Sequence, residues 1–219
     1  MRLLALDSAT DACSVALWLD GEILQRFEIA PQRHTALLLP MVAALCAEAG
    51  CALSGLDAIA ASVGPGAFTG VRVATALAQG LAYAHDLPVT PVSTLAALAH
   101  GGFRLAGLRD WLVAQDARRA EVYWAHYRID AAGEARLVAA ERVSAPEAVV
   151  MPADPGPGLA GSGWAAYGAL IAGGGLASRA ASIVFPEARD VAALGALQAA
   201  AGRLAAAETL APVYLRPAV

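Results

Sequence analysis

Leu3-Leu4-Ala5-Leu6-Asp7, a short polar turn and Ser14-Val15-Ala16-Leu17 open the chain; Leu112-Val113-Ala114-Gln115-Asp116, a turn and Glu121-Val122-Tyr123-Trp124 open its second half. Each stretch reads as strand, acid, tight turn, strand. In the first, an apolar run over 2–7 is followed by a strand over 12–19. Asp20-Gly21, a dipeptide that favours a two-residue hairpin, then leads into a return over 22–29. In the second, a strand over 111–115 is followed by one over 121–129. A turn at Ala131-Ala132-Gly133-Glu134 and a return over 135–143 complete it. A β-meander that occurs twice predicts two related α/β lobes. The expected division is residues 1–103 for an N-terminal lobe and 104–219 for a smaller C-terminal one.

Between the two meanders the pattern alternates strand and helix. A helix is expected over about 33–49, ending near Gly50, then a strand over 56–63. A glycine-rich loop, 64–70, leads into a second helix to about His85, a strand over 88–92 and a third helix from Ser93. After Val143 the pattern loosens. Residues 152–158 read as a loop, 159–161 as a short strand and 164–172 as a helix broken by Gly173-Gly174-Gly175. Asp190 is a plausible N-cap for an alanine-rich helix to about Ala207.

Composition narrows the function. The chain has 219 residues, 58% hydrophobic and only 16% charged, which suggests that a partner covers part of its surface. Met1 to Leu6 reaches Asp7 before a signal-peptide core could form, and no apolar run is long enough for a membrane span, so a cytoplasmic protein is expected. Cys13, Cys46 and Cys51 lack paired metal spacing and read as small buried hydrophobes. All fifteen basic residues are arginine, which excludes a Walker lysine, a Schiff base or a lysine general base. Net charge is −4 and the arginines are scattered, with only Arg118-Arg119 adjacent, so no basic stripe for RNA is visible.

Gly64-Pro65-Gly66-Ala67-Phe68-Thr69-Gly70-Val71-Arg72 is the strongest local signal. It lies between a strand and a helix, where backbone N–H groups can hold an anion. Its spacing is neither a dinucleotide fingerprint nor a P-loop, and a tight turn capped by Thr69 explains it equally well. Asp7 and Asp116 each end the first strand of a lobe. They would either meet at an interlobe cleft, where a magnesium nucleotide could bind, or cap local turns. His34, His85, His100 and His126 have no metal-binding spacing, and no serine sits in a nucleophile elbow. Gly173–Gly175 shows no polar pattern that would make it an adenosine loop.

The helix over 33–49 is apolar at every position from Ala36 to Ala47. Leu38, Val42 and Leu45 can pack on the helix's own sheet, which leaves Leu37 and Met41 in need of a cover. The next helix is similar, with Val71 and the small residues Ala74, Ala78 and Gly80. Two such neighbours predict a helix–helix interface with another subunit, near His34 at the start of the first.

Together these residues resemble the TsaB (YeaZ) family. The resemblance rests on Leu4-Ala5-Leu6-Asp7-Ser8 with Cys13 to Leu17, Arg33-His34-Thr35 with Leu38-Leu39-Pro40, and the Gly64–Arg72 loop. It extends through Asp116-Ala117-Arg118 with Glu121-Val122-Tyr123, Gly161-Ser162-Gly163-Trp164 and Pro212-Val213-Tyr214-Leu215-Arg216. It implies an actin-like ATPase (ribonuclease H-like) fold with a reduced second lobe. It also implies a non-catalytic subunit that supports TsaD in transferring threonylcarbamoyl to N6 of adenosine 37 of tRNA. The catalytic TsaD carries a metal-binding histidine pair where this chain has Thr94 and Leu98, so ATP and metal are expected on the partners and none on this chain. The implied partners are TsaD as a heterodimer and the ATPase TsaE at the junction. A homodimer is expected when the chain is alone, with tRNA reached mainly through the complex. The residues expected to bind TsaD are His34, Leu37, Leu38, Met41, Val42, Leu45, Val71, Ala74 and Ala78. Asp7, Gly66, Thr69, Gly70, Arg72, Asp116 and Arg118 are expected at a vestigial cleft or the TsaE junction. The competing expectations are an independent ATP-dependent phosphotransferase of the actin-like superfamily and a metallopeptidase.

Overall fold

A computed structural model of the chain describes residues 1–152, 156–172 and 183–216. The first sheet is built from β1 (Arg2–Asp7), β2 (Ala12–Leu19), β3 (Glu22–Ile29), β4 (Ala58–Ser62) and β5 (Val89–Val92), in the order β3-β2-β1-β4-β5. β1, β2 and β3 pair antiparallel through the Asp20-Gly21 turn; β4 and β5 join parallel to β1. The second sheet contains β6 (Asp110–Arg118), β7 (Glu121–Ile129), β8 (Ala135–Leu137), β9 (Arg142–Ser144) and β10 (Gly158–Ala160). Its order is β10-β6-β7-β8, with β9 also on β7, and β10 runs parallel to β6.

The two sheets therefore repeat one plan: a meander whose first strand is flanked by the parallel strand that follows. The turn after that parallel strand repeats as well, since Gly64 and Gly161 both hold φ +105, a backbone conformation that L side chains rarely adopt. Among the described residues the second lobe is reduced in two places: its sheet has no counterpart of β5, and its third meander strand is split into β8 and β9. The single return expected over 135–143 is interrupted because Glu141 turns inward to accept hydrogen bonds from Tyr127 Oη and Ser93 Oγ.

Among the described residues, five α-helices complete five layers: α1 (His34–Ala49), α2 (Phe68–Ala84), α3 (Thr94–Ala106), α4 (Ser162–Ala172) and α5 (Ala188–Ala200). Leu4 and Leu6 of β1 face α1 and α2; Leu3 and Ala5 face inward. Both faces are covered, which is why β1 reads as an unbroken apolar run. α3 and α5 lie between the sheets in one core with Trp111, Val113 and Ala125. α4 covers the far side of the second sheet, against Leu112, Trp124 and Leu159.

Two expectations change. The boundary at 103/104 falls inside α3, and the chain returns to the first sheet after the second is made. Ala188 N–H donates to Ser14 Oγ, Ala205 bridges Val89, and Val213 N–H donates to the Val63 carbonyl. Asp190 does not cap its helix either: Glu187 holds the N-cap position, and Asp190 lies buried in the first turn. Its carboxylate takes two hydrogen bonds from Arg104 at 2.9 and 3.0 Å and one with His100 Nδ1 at 2.8 Å. Burial pushes this carboxyl up, but hydrogen bonds with His100 and Arg104 outweigh it and hold it below the usual carboxylate range. The triple glycine, Gly173–Gly175, lies outside the described residues.

Candidate functional site: the outer helix pair and the interlobe groove

α1 and α2 lie side by side on the outer face of the first sheet. α1 ends at Gly50, which takes φ +59 and donates its N–H to the Ala47 carbonyl. Pro40 inside α1 has no N–H for the Ala36 carbonyl, and both residues are exposed. The exposed residues of α1 are Thr35, Ala36, Leu39, Pro40, Ala43, Ala44, Ala47 and, near its C-terminal end, Glu48; those of α2 include Ala76, Gly80, Tyr83 and Ala84. Leu39 is 51% exposed and Tyr83 81%. No charged residue occurs from Thr35 to Ala47 or from Val73 to Ala84.

The residues expected to meet a partner divide. Leu38, Val42, Leu45, Val71, Ala74 and Ala78 are buried and hold the helices to their own sheet and to each other. They cannot touch a partner, because helix periodicity turns them inward. Leu37 and Met41 are half-buried and line a groove of about 490 Å³ between α1 and the edge strand β3. His34 is also half-buried, with Nε2 making no hydrogen bond among the described residues. The outward residues of the pair are neighbours of those the sequence singled out.

The cleft residues divide as well. Asp7 is fully buried and lines neither of the two grooves at the cleft; neither oxygen has a well-formed hydrogen bond among the described residues. Burial pushes its carboxyl up to about 7, against the weaker pull of the Ser62 hydroxyl and the Ala9 N–H. Asp7 is closed off because the start of α2 packs on the β1–β2 turn. Ser8 Oγ donates to the Gly70 carbonyl at 2.7 Å, and Ala67 N–H donates to the Ala9 carbonyl at 2.7 Å. A Cβ on Gly70 would lie 2.0 Å from the Ser8 carbonyl oxygen, so only glycine permits this contact. The helix has no side-chain cap; Ala67 holds that position, and Thr69 is exposed.

Asp116 and Arg118 do face the cleft, with Gly66, Thr10, Gln115 and Ser162, around a cavity of about 210 Å³. That is below the roughly 300–1,000 Å³ of typical ligand pockets. Asp116 is engaged locally: its Oδ1 accepts from Arg118 N–H at 2.8 Å, and its own N–H donates to Ser162 Oγ. Arg118 spans the lobes, 3.4 Å from Asp116 and 3.5 Å from Asp11. The structure thus brings Gly66, Asp116 and Arg118 together and leaves Asp7 out.

A second, larger groove of about 680 Å³ adjoins the first and is shared by Gly66, Arg72 and Arg118. Sequence reasoning missed most of its other members. Arg119 comes from the β6–β7 turn, Phe68 from the start of α2, and Tyr214 and Arg216 from the C-terminal segment. The Arg72 guanidinium lies 3.6 Å from the Phe68 ring centroid and 5.5 Å from that of Tyr214, and its Nε donates to Tyr214 Oη at 2.7 Å. Arg216 donates to Glu121 and to the Ala117 carbonyl, tying the C-terminal segment to the second lobe. Arg118, Arg119 and Ala120 hold φ 63, 57 and 56, a conformation that costs non-glycine residues on the order of 1 kcal/mol or more each. The adjacent arginines and the terminal Tyr214-Leu215-Arg216 were the signals in the sequence.

Two lobes of one plan, with paired helices between the sheets and a cleft where their first strands end, define a protein of the actin-like ATPase fold with a reduced second lobe. A profile of the family described as "TsaD: tRNA N6-adenosine threonylcarbamoyltransferase" matches residues 27–212. The chain is 42% identical to the tRNA threonylcarbamoyladenosine biosynthesis protein TsaB of Escherichia coli strain K12, over 99% of this chain and 95% of that protein. It is 43% identical to the protein of the same name from Haemophilus influenzae, over 76% of this chain and 74% of that one. The solved structure of YeaZ from Pseudomonas aeruginosa superposes with a TM-score of 0.91 at 44% identity, covering 98% of this chain and 99% of that one. The chain belongs to the TsaB (YeaZ) family, within the wider TsaD-like group.

Proposed function

We propose that this chain is a non-catalytic subunit of tRNA threonylcarbamoyladenosine biosynthesis, which binds TsaD and supports it in transferring threonylcarbamoyl to N6 of adenosine in tRNA. The observation that carries this reading is the stretch of outer surface over 36–47 of α1 and 76–84 of α2, which bears no charge and where Leu39 and Tyr83 stand exposed among small residues. An apolar face of this kind, with small side chains that admit a second helix closely, suits a protein partner. A paralogue of the same fold would present a matching helix pair, so the chain alone would pair with a second copy through the same surface. TsaE would dock at the junction of the two subunits. ATP and metal would belong to the partners, and tRNA would be held mainly by the complex. The chain would work in the cytoplasm; no helix among the described residues is long and apolar enough to cross a membrane.

The small cleft and the closed-off Asp7 favour this reading over an independent phosphotransferase. Threonylcarbamoyl transfer to tRNA, reconstituted with cognate TsaD, TsaE and supplied adduct, tests it. Activity that requires this chain, together with none from the chain alone, is expected; equal activity without it would reject the subunit role.

A further inference from the structure

Four arginines from three distant parts of the chain surround the larger groove. Arg72 comes from α2, Arg118 and Arg119 from the β6–β7 turn, and Arg216 from the C-terminal segment. The fold thus gathers four of the fifteen arginines at one groove, in a molecule whose net charge is −4. Their donors are only partly used. Arg119 is exposed and makes no ion pair among the described residues. Arg118 is 73% exposed at the side chain, with long contacts to its two carboxylates. Arg72 has no carboxylate partner among the described residues; it is held flat against Phe68 by Tyr214. Beside these cations Phe68 is 59% exposed and Tyr214 49%.

We propose that this groove is a contact for single-stranded RNA, with phosphates on Arg118 and Arg119 and a base stacked on the Phe68–Arg72–Tyr214 assembly. Exposed aromatic rings interleaved with guanidinium groups suit a ligand that is both polyanionic and flat-faced, which a nucleic-acid strand is. The preference for RNA over an acidic protein segment rests on the tRNA-modification reading above. The left-handed turn at Arg118-Arg119-Ala120 adds to the case, because it sets the backbone of two adjacent arginines at the groove's rim.

The test is fluorescence anisotropy of a labelled short single-stranded RNA with the full chain, over a salt series. The Arg118→Asn, Arg119→Asn double variant keeps a residue type that tolerates the left-handed conformation. It should weaken binding about tenfold or more and flatten the slope of log affinity against log salt by about 0.7 per lost phosphate contact. Phe68→Ala should weaken binding about fivefold or more and leave that slope unchanged. No binding by the unmodified chain at low salt overturns the proposal, as does equal binding by chain and double variant. Loss of TsaD or TsaE association in the double variant, with RNA binding unchanged, assigns the groove to a protein instead. Because RNA binding is read on the chain alone, its failure leaves the subunit role intact. Conversely, RNA binding that survives when reconstituted transfer does not need the chain rejects only the subunit role.

Discussion

Asp7 and Asp116 look equivalent in the sequence: each ends the first strand of a lobe. The structure gives them opposite environments, and the difference comes from residues far along the chain. Asp116 stays in the cleft because Ser162 and its own turn supply partners. Asp7 is sealed by the first turn of α2, a contact that depends on Gly70 lying against Ser8. The consequence is a pH effect of definite sign. The folded protein raises the Asp7 carboxyl from 3.8 to about 7, so between those values the native state holds a proton that the unfolded chain releases. Stability from this group falls as pH rises from about 4 to about 7, and the full penalty persists above. At roughly 1.4 kcal/mol per unit, the cost at pH 8 is on the order of a few kcal/mol. Asp7→Asn, of the same shape and uncharged, should melt several degrees higher than the unmodified chain at pH 8 and at nearly the same temperature at pH 4. Thermal melts by circular dichroism at both values check this; parallel curves at both would show that the carboxyl is not carrying the burden of its burial. The Asp190 carboxyl, held low by Arg104 and His100, works in the other direction and loses its contribution only at strongly acidic pH.

At the scale of elements, α1 and α2 were legible as apolar helices and β1 to β3 as a meander, whereas the parallel placement of β4 and β5 beside β1 has no local signal. The faces were less legible. An all-apolar stretch carries no amphipathic phase, so periodicity alone cannot say which side meets the sheet and which the outside. Val42 and Ala78 are buried, and a charge at either would disrupt the first lobe's own core rather than report on a partner. The informative substitutions are Leu39→Asp and Ala76→Glu, at exposed positions. Each should leave the thermal midpoint within a degree or two and weaken TsaD association by about thirtyfold, corresponding to a loss of ~2 kcal/mol at a central contact. Calorimetry of each variant with TsaD measures it, with melting curves as the control. Unchanged affinity in both would move the partner surface away from this helix pair, with the groove between α1 and β3 as the next place to look. The groove arginines show the same limit of sequence reading. Arg72, Arg119 and Arg216 form no stripe along the chain, and only the docking of three elements places them together.

For the whole molecule, two lobes are plain in the sequence because a repeated meander is a local pattern. Their division at 103/104 is not what the chain does. A linear reading assigns residues to the lobe in which they occur, but packing lays α3 on the second sheet and sends the C-terminal part, with α5, back to the first. Gly195 of α5 lies against Ala60, Leu3 and Thr90, where a Cβ would come within 2.7 Å of the Ala60 methyl, and Val191 and Leu194 fill the core between the sheets. Burying those two side chains alone is worth about 3–6 kcal/mol, a large part of the roughly 5–15 kcal/mol that holds a domain together. A chain ending at Glu187 should therefore lose cooperative unfolding, although it keeps β1 to β10. A chain ending at Ala211 keeps α5 and the Ala205–Val89 bridge. Among the described residues it loses the Val213 hydrogen bond to Val63, the Tyr214 contacts with Arg72 and Phe68, and the Arg216 ties to Glu121 and the Ala117 carbonyl. It should unfold cooperatively at a midpoint lower by a few degrees, with faster amide exchange in the β6–β7 turn, because the tie across the cleft mouth is gone. Melting curves for the two truncations, with hydrogen exchange on the longer, separate the cases. A cooperative melt for the chain ending at Glu187 would mean that the first sheet is stable without its returning helix, which the burial of Leu3 and Ala60 beneath α5 argues against.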